Sequence, residues 1–513
     1  MSPPPSRFVL LAAGSNARGQ LASSTYEDAH AFQPCLFLDD DDDAGATADS
    51  ALPSRVRGIR KLVCGANHAL LMLEVEVDAS SGNVSMSISG TGAASTLEAT
   101  STTPTSISTS TANAAGSTPA PARAPRRTCI ELWGSGDGSR GQLGAAYQAA
   151  QARGAFATTS VFRRLEVVVP GASASAAGAL ELEVRDVAAA WETSYVVFGG
   201  GGGSDSDVVV AMGSDEFGAL GGGGGGGGGE DGEVVVPIER VLPRSKTSTA
   251  SADGQVVRVL SIAASFRHVF AHISLDNSNH NNSNNNFNGT NSNSTYLLSW
   301  GAHRHGQRGP KASSPLPTLT PSHGTTQIAL GKEHTLILDE SGRVSGLGSD
   351  RKGQLRGLER VEGAVHVGCT WAGTFCVVRR YGVAQVFAAG DNARGQLGRG
   401  AAGPGPGYVG FPFSHESKGL EGLACGSEHV LALFAARTEG EGEGEEGDGD
   451  REVWGWGWNE HGNLGLGHTE DVLRPTRIWP PPDPSSATAE MVCGRVLNVW
   501  GGCGTSWIAV QKL

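Results

Sequence analysis

Charged side chains are scarce in this chain of 513 residues, at 18%, and aromatic residues make up only 6%. No stretch approaches the ~20 consecutive apolar residues of a membrane-spanning helix. The only apolar run near the start, Phe8 to Ala13, is short and weakly charged in front, which argues against a secretory leader. There is no basic tail, which argues against strong binding to nucleic acid or to an anionic membrane. The eight cysteines form no C-x-x-C pair, so zinc-ribbon spacing is missing and a reduced compartment fits best. The glycine-rich runs lack the Lys-Ser/Thr of a phosphate loop, which removes the nucleotide-binding reading.

Glycine, by contrast, is abundant: 75 residues, about twice the usual share. Part of it lies in low-complexity tracts at 39–50, 78–128, 199–207, 221–233, 276–295, 438–451 and 480–488. Removing them leaves 385 residues, ample for a single large core across 1–513. The net charge of −13 is local too. Asp39 to Asp43 and the seven acidic residues of 439–450 supply all but about one of the excess negatives. Several tracts fall where a hairpin tip is expected, a place that tolerates expansion at little entropic cost. They read as solvated insertions, disordered and without a role of their own.

What remains is repetitive, so internal similarity organises the reading. One pattern is an apolar strand, then Gly, a polar turn, and a second Gly five residues on, usually followed by Gln-Leu. It occurs seven times, beginning at Gly14, Gly136, Gly213, Gly301, Gly348, Gly390 and Gly457. In the fourth copy Arg308 replaces the leucine. A second pattern alternates with it: a small residue, two variable residues, then often His and an apolar strand. Its clear copies contain His68, His268, His334 and His429, and its degenerate copies Thr193, Thr374 and Thr505. Short apolar strands without a long 3.6-residue period point to an all-β chain. Seven units of about 55 residues suit four-stranded sheets that bury both faces on their neighbours in a closed ring. The leucine after Gln would plug the space between sheets.

The Gly-x-Asn-x-x-Gly-Gln-Leu-Gly turn and the Cys-Gly-x-x-His-Thr-x-x-Leu strand resemble the regulator-of-chromosome-condensation (RCC) repeat family. The resemblance spans the chain apart from the tracts and implies a seven-bladed β-propeller of RCC type with low-complexity loop insertions. Within that family, the run from Val453 through Trp454, Trp456 and Trp458 to Gly462, and that from Val499 to Trp507, are similar to the fungal alpha-tubulin suppressor or killer-toxin-insensitivity proteins. Trp191, Trp371 and the Cys425-to-His429 segment share that likeness. It implies a protein that is not an enzyme and has no cofactor. The partner implied is a small CSL-type zinc/iron protein that supplies electrons for diphthamide synthesis on elongation factor two. Support of Elongator-dependent modification of the tRNA wobble uridine is implied as well. The location expected is cytoplasmic, with a nuclear share left open. The alternatives are a guanine-nucleotide exchange factor for a Ran-like GTPase and a generic interaction adaptor.

No catalytic or metal-binding constellation emerges. The four motif histidines recur at one structural slot and read as hydrogen-bonding braces rather than ligands, and His303 and His305 sit inside a repeat turn. The two variable positions of the strand motif should crowd one face near the ring axis. Trp191, Glu192, Phe266, Arg267, Lys332, Glu333, Trp371, Ser427 and Glu428 occupy them in the copies with large or polar residues. Packing around a channel mouth explains such residues as readily as contact with a partner, although aromatic and arginine side chains are typical anchors. Trp454, Trp456 and Trp458 alternate, so they share a face. The first two read as packing between blades, while Trp458, with Glu460 and His461, is a further contact candidate in its turn.

Overall fold

The computed structural model describes residues 8–39, 50–77, 127–154, 160–170, 182–200, 206–222, 233–243, 255–277, 294–401, 405–414, 417–437, 450–482 and 494–512. Seven sheets, antiparallel except for one strand pair, make a seven-bladed β-propeller. Blade 1 runs outward from Val56–Cys64 through His68–Val77 and Arg127–Gly136 to Phe162–Arg164. Blade 2 starts at Leu182–Ala189, blade 3 at Gln255–Ser265, blade 4 at Thr325–Leu330, blade 5 at Ala364–Cys369 and blade 6 at Lys418–Cys425. Blade 7 joins the two ends of the chain: Gly494–Gly501 and Thr505–Lys512 continue into Phe8–Gly14 and Ala29–Pro34. Seven consecutive pairs, Phe8 opposite Gln511 to Gly14 opposite Thr505, close the ring. Each inner strand touches the next all the way round.

The regular four-strand expectation is modified in two blades. Blade 4 has three strands, its outer position being taken by a turn and a short 3-10 helix, Leu358–Arg360. Blade 1 gains a fifth strand, Phe37–Leu38, which leaves blade 7 and pairs in parallel with Phe162–Arg164. One α-helix, Ala145–Ala152, packs Tyr147 beneath the turn that follows Gly136, its phenol donating to the Gly136 carbonyl at 3.2 Å.

The two sequence patterns interlock. The first glycine of every turn has φ between +90° and +122°, and a Cβ there would lie 2.1–2.6 Å from the carbonyl oxygen of the second variable residue in the strand motif. That oxygen then accepts the N–H of the next turn residue. Asp137 donates to Asn67 at 2.8 Å, Ser349 to Glu333 at 2.9 Å and Asp391 to Ala372 at 3.0 Å. Only glycine fits a backbone of that hand at such close approach. Within the turn, the Asn or Asp carboxamide or carboxylate accepts the leucine N–H, as at Asn16 to Leu21 and Asp350 to Leu355. Leu21, Leu143, Leu397 and Leu464 are fully buried among the sheets, as the plug role requires.

The motif histidines are braces between blades. His68 Nε2 meets Ser194 Oγ at 2.8 Å, His268 Nε2 meets Thr335 Oγ1 at 2.9 Å, and His334 Nε2 meets Thr374 Oγ1 at 3.2 Å. His429 Nε2 lies 3.0 Å from Ser506 Oγ. Each bond thus reaches from one blade to the next.

Arg308 holds the fourth turn by different chemistry. It is 2% exposed and donates to the carbonyls of Ser299, Gly301, Ser314 and Leu316 and to the Thr318 hydroxyl, at 2.6–3.1 Å. No carboxylate accompanies it among these contacts, and burial lowers its affinity for the proton to about 10. A leucine plug is replaced by a polar staple.

The tracts lie mostly outside the described residues, but their edges belong to the blades. Thr128, Gly199, Asp276, Thr295 and Arg451 are in strands. Asp207, the last residue of one tract, is a structural anchor: it is buried, pairs with Arg185 at 3.2 Å and Arg258 at 3.1 Å, and accepts the Val259 N–H.

Two outcomes follow for stability. Burial lowers the pKa of His68, His334 and His429 to about 4 and of His268 to about 3. Between those values and the ordinary ~6.5 the unfolded chain binds protons that the folded one refuses. Stability is therefore full above pH ~6.5 and declines as pH falls toward 4, by about 1.4 kcal/mol per pH unit for each imidazole in that window. Urea midpoints measured from pH 7 to 4 should fall steeply, and a flat profile would contradict the buried neutral imidazoles. Arg308→Leu, which restores the residue of the other turns, should destabilise by on the order of 3 kcal/mol because it strands buried carbonyls. An unchanged or higher melting temperature would exclude the staple.

Candidate partner-binding face

The loops that join each inner strand to the second strand gather at one end of the axis. Main-chain bonds link them: Ala66 N–H donates to Trp191 O, Trp191 to Phe266 O, Lys332 to Trp371 O, Trp371 to Ser427 O and Ser427 to Gly502 O, at 2.7–3.0 Å. The backbone of the slot is thus committed to the ring, and its side chains are released to face the axis.

Three of those side chains meet. The ring centroids of Trp191 and Phe266 are 4.8 Å apart, those of Trp191 and Trp371 5.9 Å, and those of Phe266 and Trp371 6.0 Å. All three are half-buried. Blades 2, 3 and 5 therefore contribute to one aromatic cluster at the mouth of the channel. Lys332 Nζ lies over Phe266 at 4.5 Å and Trp371 at 5.3 Å, and Arg267 lies over Phe266 at 4.7 Å. Phe266 holds φ at +28°, an unfavourable backbone for a residue with a Cβ.

The remaining sequence candidates divide. Arg267 pairs with Glu216 at 3.5 Å, and Glu333 with His305 at 3.3 Å. Glu192 and Glu428 are half-buried at the rim. Burial raises the Glu428 pKa, with Asp391 and Asp471 adding to the effect and Arg394 and Lys332 opposing it. Ser427 does not present its side chain. It is 3% exposed, and its hydroxyl accepts the Gly504 N–H at 3.1 Å, so it braces the loop of blade 7.

Trp458, Glu460 and His461 lie on the same face but in the turn of blade 6, outside the aromatic cluster. The Trp458 indole donates to Glu460 at 3.1 Å, and His461 meets Asp28 of blade 7 at 2.6 Å. Trp456 is fully buried and donates to Gln396 O across the blade boundary, whereas Trp454 is half-buried against Phe413 at 5.0 Å. Among the described residues no group of three or more His, Cys, Asp or Glu is placed to hold a metal ion.

Sequence reasoning missed Phe217. It is 42% exposed, at φ +65°, with the Arg267 guanidinium 4.0 Å above its ring. It extends the aromatic and cationic surface outward through blade 2. The signal was present: in the other six turns this position, just before the second glycine, holds Arg18, Arg140, His305, Lys352, Arg394 or His461.

Below the rings, a cavity of about 140 Å³ is lined by loop residues of all seven blades, including the thiols of Cys64, Cys369, Cys425 and Cys503. Burial pushes Cys64 and Cys503 up to about 12 and Cys369 and Cys425 well above the ordinary thiol range.

With that geometry in place, known proteins supply a frame. Residues 450–498 match the family model of the regulator of chromosome condensation (RCC1) repeat. The fold is that of RCC1-type propellers: the crystal structure of human WBSCR16 superimposes with a TM-score of 0.55 at 16% identity, covering 99% of each chain. Prp20p from Saccharomyces cerevisiae, at 18% identity, covers 65% of this chain and 83% of its own with a TM-score of 0.35. No curated protein matches this sequence. Among the described residues no helix is long and apolar enough to cross a membrane.

The thiols give this site its own check. At pH 8 the folded protein should take up almost no iodoacetamide at Cys64, Cys369, Cys425 or Cys503, because the reactive thiolate is suppressed. Urea should expose all four, as read by peptide mass mapping. Rapid native labelling at these positions would contradict the raised thiol pKa values.

Proposed function

We propose that this chain is a non-enzymatic docking propeller whose axial aromatic face binds a small CSL-type zinc/iron protein, supporting diphthamide synthesis on elongation factor two and Elongator-dependent wobble-uridine modification. The single observation that carries the docking role is the cluster of Trp191, Phe266 and Trp371 at the axis, half-buried and flanked by Arg267 and Lys332. Aromatic and arginine side chains at the centre of a patch are the usual carriers of binding energy. The choice of partner rests on the sequence likeness in the tryptophan-rich repeats. Glu192, Glu333 and Glu428 then form the polar rim, and Trp458, Glu460 and His461 a secondary contact. On this reading 1–513 is one propeller and its tracts are expanded loops.

Titration with the zinc-loaded CSL-type protein by calorimetry tests the proposal, with a saturable one-to-one complex as the expected result. Trp191→Ala with Trp371→Ala should weaken it by about tenfold or more while the melting transition persists. Unchanged affinity would move the site elsewhere. With no complex at any salt concentration the partner is wrong, and stimulated GDP release from a Ran-like GTPase becomes the measurement that identifies the rival exchange-factor role.

A further inference from the structure

The aromatic mouth is an open-topped cavity with a cation fixed at its edge. Its walls mix alanines (Ala66, Ala190 and Ala264) and thiols that burial keeps protonated and uncharged with polar groups of Ser265 and Thr370 and with glycine main chain, beside the aromatic rings. The cavity is of the size that takes up a single ring, since one of ~150 Å³ in a protein interior accepts benzene. Lys332 stands over the faces of Phe266 and Trp371. No carboxylate within ion-pair distance of its ammonium is found among the described residues, whereas Arg267 and His305 nearby both have acidic partners. An ammonium held on aromatic faces with no carboxylate in contact, and Glu428 acting on it only at longer range, is half of a charge-assisted pair.

We infer that the occupant of the axis is the tip of a partner loop that carries one apolar or aromatic side chain and, beside it, a carboxylate. The apolar group fills the cavity beneath Trp191 and Trp371, and the carboxylate pairs with Lys332. This deepens the docking proposal and rests on its choice of face, but not on the identity of the partner. The strained backbone of Phe266 fits the same account, because it keeps one wall ring turned toward the axis before anything binds.

The slot itself supplies the decisive variant. Ala66 occupies the position that carries tryptophan in blades 2 and 5 and phenylalanine in blade 3, so Ala66→Trp fits the local backbone and crowds the cavity from blade 1. Phenylacetate, a benzene ring joined to a carboxylate, is the small probe. Saturation-transfer NMR and tryptophan fluorescence should show saturable, millimolar binding to the wild-type protein. Ala66→Trp should abolish that binding and Lys332→Glu should weaken it roughly tenfold or more. The neutral analogue 2-phenylethanol should bind the wild type and Lys332→Glu alike. No saturable binding of phenylacetate, or equal binding by Lys332→Glu, overturns the inference, and Lys332→Glu decides alone if Ala66→Trp melts early. Should phenylacetate behave as expected while the CSL-type protein fails to bind, the choice of partner falls and the chemistry of the mouth stands.

Discussion

Everything in this propeller depends on one contact made seven times: a turn glycine laid against the carbonyl of the loop that feeds the neighbouring strand. Both partners are main chain. The glycine contributes the absence of a Cβ, and the carbonyl accepts the N–H that follows it. The contact ties the loop at the end of the inner strand to the turn at the end of the third strand, and so fixes both on one face. Histidine braces to the next blade and buried leucines between the sheets then align the blades. The ring leaves only the short outer edges of its blades, and the seam is sealed by seven backbone pairs between the first and last strands.

The same contact explains why the mouth is free to specialise. Where the backbone does the holding, the side chain at the variable position has no structural duty. Ala66, Trp191, Phe266, Lys332 and Trp371 therefore share one backbone role with unrelated chemistry. Symmetry then converts scattered sequence positions into neighbours. Trp191 and Trp371 are 180 residues apart in the chain and 5.9 Å apart at the axis. Ser427 is the exception, because its hydroxyl is taken by Gly504 and the residue returns to a bracing role.

Legibility in the sequence follows the same division. Features imposed by the repeat, such as the blade number, the glycines, the histidine slot and the axial position of the variable pairs, recur and can be read by self-comparison. Features imposed by one local environment cannot. Arg308 reads as a defect in the fourth turn, since its acceptors are carbonyls of Ser299, Gly301, Ser314 and Leu316 whose direction no sequence pattern records. The missing fourth strand of blade 4 and the wandering Phe37–Leu38 strand likewise depend on what outer sheets can reach. Trp458 has the composition of an axial residue, but its place in a turn sets it outside the cluster. Phe217 stands at a turn position that holds Arg, Lys or His in the other six copies, a departure visible only when the copies are compared at that position.

The energetic logic of the face follows from how little of it is available to the fold. The axial rings are only half-buried, so they contribute less to stability than the fully buried Trp133, Trp300, Trp456 and Trp507 that fill the blades. Phe266 even pays a backbone penalty to stand where it does. Residues selected for stability alone would leave alanine or glycine at such a slot, as blade 1 does with Ala66. Large aromatic side chains in three blades, two cations stacked on them and a cavity left open beneath are the features on which the docking proposal rests. They are the arrangement expected where a surface is assembled in advance, so that a partner binding at the axis does not have to supply the cost of ordering it.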